Sequence, residues 1–224
     1  MSGRIARLAV GLAAGALLLP ATAAAHNPAA RVNAEGNAFT GGLQFSPADV
    51  TVDVGDGVEW TNTDTVVPHT ATEDHGLWDL TGDYGQTPAN PPGFGPGEVR
   101  ERHFEAGTQH YYCKVHPQQM RGTITVPARL ERASSIGTVR SGKKTKVRRL
   151  LATWSTLPPA EGQVFDVEVR KGGGAWRAYR TGTRATSASI KTRKGVKWSV
   201  RARLRSASTP SAATDWSPPV SRRA

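Results

Sequence analysis

The sequence predicts an all-β protein made of two consecutive β-sandwich units. Three observations carry that expectation. Apolar residues recur with a period of two in several short segments, and no segment sustains a helical period. The 24 Gly and 15 Pro, with frequent Val and Thr, favour turns and short strands over helices. Charge divides the chain into blocks. The overall +11 from 29 Lys+Arg and 18 Asp+Glu splits into +2 over residues 1–25, −8 over 26–127 and +17 over 128–224. Such asymmetry points to two units facing different partners and not to a uniformly basic nucleic-acid binder. A single Cys excludes a disulfide scaffold, and no run after residue 25 is long and apolar enough for a transmembrane segment.

Residues 1–25 read as a secretory signal peptide. Arg4 and Arg7 precede an apolar run from Leu8 to Leu19, and Ala23-Ala24-Ala25 supplies a small-residue cleavage site. No Cys near that site allows a lipid anchor. The mature chain is expected to begin near His26 and to be exported, either secreted or held in the periplasm or cell envelope.

Residues 26–127 form the first expected domain. Val50, Val52 and Val54 alternate with Thr51 and Asp53, Gly55-Asp56-Gly57 is a turn, and Val58 and Trp60 resume the alternation. Thr61-Asn62-Thr63-Asp64 reads as a turn before Val66, Val67 and His69. Residues 81–97, rich in Gly and Pro, read as a surface loop. Strands are expected near residues 98–104, 108–113 and 123–126, the first two separated by a turn at Ala106-Gly107. Closely spaced short strands indicate an antiparallel sandwich or barrel.

An exported protein with one leftover thiol suggests a reactive Cys, an intermolecular bridge or a metal ligand. The neighbours of Cys113 favour the last. Tyr112-Cys113-Lys114-Val115-His116-Pro117-Gln118-Gln119-Met120 places a thiol, an imidazole and a thioether where a strand runs out into a tight loop. A thiolate with two imidazoles and a weak axial thioether suits a mononuclear blue-copper site. Cys113, His116 and Met120 can come from the loop, and Pro68-His69-Thr70 is the natural source of the second imidazole. Zinc also accepts Cys and His, but structural zinc sites usually use more thiolates and rarely Met. His75, His103 and His110 lack such spacing and read as surface or structural histidines; Trp78 and Phe94 read as buried with a docking surface as the sharper alternative, and Tyr112 as a packing residue with electron exit as its own.

Over most of residues 38–127 the chain resembles the cupredoxins, small type 1 copper proteins of the plastocyanin/amicyanin kind. The resemblance rests on Phe45-Ser46-Pro47, on Gly55-Asp56-Gly57-Val58-Glu59-Trp60-Thr61-Asn62, on Pro68-His69-Thr70, and on Tyr112-Cys113-Lys114-Val115-His116-Pro117 with Met120-Arg121-Gly122. It implies an eight-stranded Greek-key sandwich with one copper ion at one end. His69, Cys113 and His116 would be equatorial ligands and Met120 axial. Thr70 stands where several relatives have Asn, which leaves open what makes that side chain's hydrogen bond across the site. One Cys and six scattered His exclude dinuclear purple-copper centres, multicopper oxidases and copper nitrite reductases.

Residues 128–224 form the second expected domain. Arg140–Arg149 is basic and polar, and Leu150–Trp154 turns apolar. Phe165, Val167 and Val169 alternate with charged residues, Gly172-Gly173-Gly174 is a hairpin turn, and Trp198, Val200, Ala202 and Leu204 alternate with Ser199, Arg201, Arg203 and Arg205. With Trp154, Trp198–Arg203 and Trp216-Ser217-Pro218-Pro219, this stretch resembles a fibronectin type III module, an immunoglobulin-like sandwich. The resemblance implies adhesion or spacing without catalysis.

The expected function is therefore an exported single-electron carrier cycling between Cu(I) and Cu(II), not an enzyme. Its partners would be a redox protein and, through the basic second domain, anionic cell-envelope polymers, with no specific nucleic acid. Two alternatives stand beside it: a copper-buffering module without a redox partner, and a copper enzyme using an N-terminal His26.

Overall fold

A computed structural model describes residues 27–37, 41–82, 92–140 and 143–224. The proposed signal peptide, His26 and residues 83–91 of the predicted loop lie outside these. The chain is all-β, as expected. Among the described residues, no helix is long and apolar enough to cross a membrane.

The first eight strands are β1 (Ala30–Asn37), β2 (Gly41–Ser46), β3 (Asp49–Thr51), β4 (Gly57–Asn62), β5 (Thr72–Glu73), β6 (Val99–His103), β7 (Gly107–Tyr112) and β8 (Arg121–Val126). They form two four-stranded sheets, in the orders β2-β1-β4-β6 and β3-β8-β7-β5. Two pairings, β1 with β4 and β3 with β8, are parallel; the others are antiparallel. Val32 and Ala34 of β1, Val58 and Trp60 of β4, and Tyr111 and Ile124 of the facing sheet are all buried, which is the alternation a two-layer sandwich requires. Trp60 stands near the centre. Tyr111 meets it edge-on at 5.6 Å, and Trp78 and Phe104 lie at 6.0 Å, so an aromatic cluster forms part of the core.

Three local expectations change. The turn predicted at Thr61–Asp64 begins later, because β4 is a central strand: Thr61 pairs with Asn33 on one side and Val99 on the other, and these pairings override turn propensity. The strand predicted over Val50–Val54 stops at Thr51, although Val52 and Val54 are buried. The end of the predicted surface loop is not surface. Phe94 is fully buried and exchanges two backbone hydrogen bonds with His69, at 2.8 and 3.1 Å.

Seven further strands follow: β9 (Arg129–Arg140), β10 (Lys143–Thr153), β11 (Gln163–Lys171), β12 (Arg177–Thr183), β13 (Ser187–Thr192), β14 (Lys197–Ser206) and β15 (Val220–Arg223). Their sheets have the orders β13-β10-β9 and β12-β11-β14-β15. Leu150, Trp154, Phe165, Val167, Ile190, Val200, Ala202 and Leu204 make their core. The basic, polar stretch before Leu150 is strand: β10 begins at Lys143 and pairs with β9. The two sets of sheets touch: Ala106 N–H donates to Trp154 O at 2.8 Å, and the Gln163 side chain donates to Leu77 O at 2.5 Å.

Candidate metal centre

Cys113 follows directly on β7, and its loop is a compact local structure. His116 N–H donates to Cys113 O at 3.2 Å, Met120 N–H to His116 O at 3.0 Å, and Cys113 N–H to Met120 O at 3.0 Å. These bonds curl the loop so that residue 120 returns beside residue 113 as β8 begins. His69 lies in the segment that joins β4 of one sheet to β5 of the other and is clamped by its bridge to Phe94.

The structure brings His69, Cys113 and His116 together. Their ligand atoms all lie within 4.8 Å of one another. Cys113 Sγ is 3.7 Å from His69 Nδ1 and 3.9 Å from His116 Nδ1. Metal–nitrogen and metal–sulfur bonds of about 2.0–2.3 Å put trigonally arranged donors roughly 3.5–4 Å apart, so the three atoms fit around one ion. Met120 is also fully buried and tied to Cys113 through the backbone. His69 and Cys113 are shut off from solvent, and His116 is half-buried.

Electrostatics prepares both imidazoles as neutral donors. Burial, with the neighbouring His116, pushes the His69 pKa down to about 4 despite an opposing pull from Asp64. Burial lowers that of His116 as well, again against Asp64. The Asp64 carboxylate Oδ2 lies 3.5 Å from His69 Nε2, both side chains being inaccessible. That separation exceeds a good hydrogen bond, and among the described residues neither atom has another partner. A proton on His69 Nε2 is the tautomer that Asp64 favours, and it leaves Nδ1 free to face the thiol.

Several residues that position the site were not singled out from the sequence as site residues. Asn62, quoted only as part of a motif and a turn, is a buried hub. Its Nδ2 donates to Val67 O and Phe94 O, each at 2.9 Å, and its Oδ1 accepts from Asp64 N–H at 2.9 Å. Asp64 Oδ1 in turn accepts from Val66 N–H at 2.8 Å. Phe94, expected to be buried, also takes part in the site through its bridge to His69 and the bond its carbonyl accepts from Asn62. Gly93 lies against Pro68 and His69, where a Cβ would collide with both. An Asn-x-Asp spacing shortly before a Pro-His was the one local signal available. The open question at Thr70 also has an answer. Its Oγ1 accepts from Lys114 N–H at 2.8 Å, so Thr supplies the bond across the site, and its own N–H donates to Cys113 Sγ at 3.4 Å.

Residues 31–127 match the family described as copper binding proteins, plastocyanin/azurin family. Among solved structures, one described as a novel purple cupredoxin from Nitrosopumilus maritimus shares 32% identity, covering 43% of this chain and 98% of its own, with a TM-score of 0.32. The Cu(I) form of an amicyanin variant shares 24% identity over 45% of this chain and 84% of its own, with a TM-score of 0.33. A reduced amicyanin variant shares 26% identity over 43% and 79%, with a TM-score of 0.29. No protein of curated function matches. Residues 31–127 thus form a domain that matches the plastocyanin/azurin family of copper-binding proteins.

Proposed function

We propose that the protein is an exported single-electron carrier with one type 1 copper ion, held by His69 Nδ1, Cys113 Sγ and His116 Nδ1, with Met120 as the weak axial ligand. The observation that carries the reading is a largely buried set of one thiol and two neutral imidazoles, whose Nδ1 atoms lie 3.7 and 3.9 Å from the sulfur. Copper in such a donor set supplies a one-electron Cu(I)/Cu(II) couple. The protein's part is to keep the donors where they are in both oxidation states. Asn62 and Asp64 hold the segment that carries His69, and the backbone bonds of the 113–120 loop hold the other donors. Fixed donors keep the structural cost of gaining or losing an electron small. His116 alone of the three reaches solvent, so a redox partner would approach on its side.

The test is a visible spectrum after Cu(II) addition. Thiolate-to-copper charge transfer should give an intense blue or green colour that Cys113→Ser abolishes. A colourless complex, or zinc in protein purified from a copper-replete source, overturns the assignment. Rapid reoxidation of the reduced protein by an extract of its own compartment separates a carrier from a buffer.

The second unit, residues 128–224, we read as a fibronectin type III-like sandwich that attaches the protein to anionic cell-envelope polymers. Three of its arginines are already engaged. Arg201 bonds Glu168 at 2.6 and 2.9 Å while lying between Trp176 and Trp216, at 4.5 and 4.8 Å from their ring centres. Arg203 and Arg205 share Asp166, at 3.2 and 2.8 Å. The cations left for a polyanion include exposed Lys191, Arg193 and Lys194. Retention on anionic envelope fragments should therefore fall with salt, as the Debye length shrinks from about 10 Å at 0.1 M to about 3 Å at 1 M. It should also weaken when these three are replaced by Gln. Salt-independent retention removes this part of the reading.

A further inference from the structure

We propose that Asp79 is a remote positioning residue for the metal centre, acting through the hydroxyls of Thr72 and Thr70 to fix the peptide that follows Cys113. Its weight for copper rests on Cys113 being a ligand, as proposed above; the hydrogen-bond chain itself does not.

The argument is one of proton direction. Lys114 N–H donates to Thr70 Oγ1 at 2.8 Å, Thr70 Oγ1 lies 3.3 Å from Thr72 Oγ1, and Thr72 Oγ1 lies 2.9 Å from Asp79 Oδ1. An ionised carboxylate only accepts, so the single proton of the Thr72 hydroxyl is committed to Asp79. Thr72 Oγ1 can then only accept from Thr70, whose own proton is thereby committed in the same direction. What Thr70 has left to offer Lys114 N–H is a lone pair. Each hydroxyl in the row thus points towards Asp79, and aligned hydrogen bonds of this kind polarise and strengthen one another. Both threonines are buried, which leaves no solvent to compete for either hydroxyl.

The scaffold holds Asp79 at the far end. It faces Thr72 in an antiparallel bridge, flanked by Leu80 N–H to Ala71 O at 2.9 Å and Glu73 N–H to Trp78 O at 3.0 Å. Thr81 adds its N–H at 3.0 Å and its hydroxyl at 2.5 Å to the same carboxylate oxygen. The Lys114 ammonium donates to the other oxygen and to Thr81 Oγ1, the latter at 3.3 Å. Lys114 is therefore bound at both ends of one loop of hydrogen bonds, its N–H at Thr70 and its ammonium at Asp79. Burial alone would raise the Asp79 carboxyl, but the hydrogen bonds from Lys114, Thr81 and Thr72 outweigh it and hold the group below the usual carboxylate range.

Thr70 joins this row to the sulfur, since its own N–H reaches Cys113 Sγ. Take away the carboxylate and the Thr72 proton is released. The Thr70 hydroxyl loses its fixed orientation, and the hold on the Cys113–Lys114 peptide slackens.

The experiment follows the Lys114 amide by NMR in the metal-free full chain. Asp79→Ala should shift the Lys114 amide proton upfield and speed its exchange with solvent roughly tenfold, as expected when one buried hydrogen bond is weakened. Thr72→Val should do the same. The double variant should be no worse than Thr72→Val alone, and Thr72→Ser should restore the native shift. Lys114→Met removes only the ammonium and should leave the amide at that position nearly unmoved. An unchanged amide in Asp79→Ala, or additive effects of Asp79→Ala and Thr72→Val, overturns the proposal. In copper-loaded protein, Asp79→Ala should move the charge-transfer band while Lys114→Met should not. If the protein yields no coloured complex at all, the copper assignment fails and the amide result still decides the relay.

Discussion

Thr108 and Asp215 exchange both backbone hydrogen bonds, each at 3.0 Å, so a segment of the second unit pairs with a strand of the first. β5 covers only the Tyr111–Tyr112 end of β7 and leaves the Thr108 edge free for Asp215. The Thr108 hydroxyl also donates to Trp216 O at 3.3 Å, and His110 Nε2 lies 3.3 Å from the Asp215 carboxylate. β7 is the strand that ends beside Cys113, so the basic unit is tied to the element that presents the thiol. Gly107 makes the approach possible, because a Cβ there would stand 2.8 Å from Thr214 Oγ1. Gly107→Val should therefore part the two units. Calorimetry should show one transition for the native chain and two for the variant.

Metal-free protein should lose stability in mild acid through His69. Its folded pKa of about 4 lies below the unfolded value of about 6.5. The unfolded chain then binds more protons between those values, so stability rises with pH across that window and is lost as pH falls from about 6.5 to 4. Full expression of that shift is on the order of 3 kcal/mol. The lowered pKa of half-buried His116 acts in the same direction. Urea titrations at several pH values should show the slope in the native chain and a much flatter one in His69→Gln.

Removing the Asn62 side chain leaves Val67 O, Phe94 O and Asp64 N–H without that partner. Asn62→Leu should cost about 2–4 kcal/mol of stability, since each buried polar group left unpaired costs about 1–3 kcal/mol and some rearrangement recovers part of it. Copper should also leave this variant faster, because the segment carrying His69 is no longer clamped. Unfolding midpoints and transfer of copper to a chelator measure the two effects separately.

Met120 should tune the proposed centre without being needed to fill it. An oxygen donor in the axial position favours Cu(II), so Met120→Gln should lower the reduction potential and Met120→Leu should raise it, both keeping copper. Cyclic voltammetry is the measurement. If neither potential moves, Met120 is not the axial ligand.

What was legible in the sequence was what neighbouring residues settle among themselves. Cys113, His116 and Met120 share one loop closed by its own backbone bonds, so their spacing alone announced a candidate metal site. Alternation exposed the strands whose two faces differ sharply, such as β11 and β14. β5 and the first half of β10 escaped because pairing with a neighbour, and not an alternating pattern of their own, makes them strands, while the alternation of β1 is short and built on small residues. Pairing likewise carried β4 through residues that read as a turn. Tertiary structure alone decided what surrounds the ligands. Phe94 bridged to His69, Asp79 at the end of the threonine row and Arg201 between two tryptophans join residues from separate segments, and Asp64 meets His69 only through the folded path of the β4–β5 connection. A hydrogen bond or a ring contact requires atoms within a few ångströms, and only the folded packing of the sheets brings such residues that close.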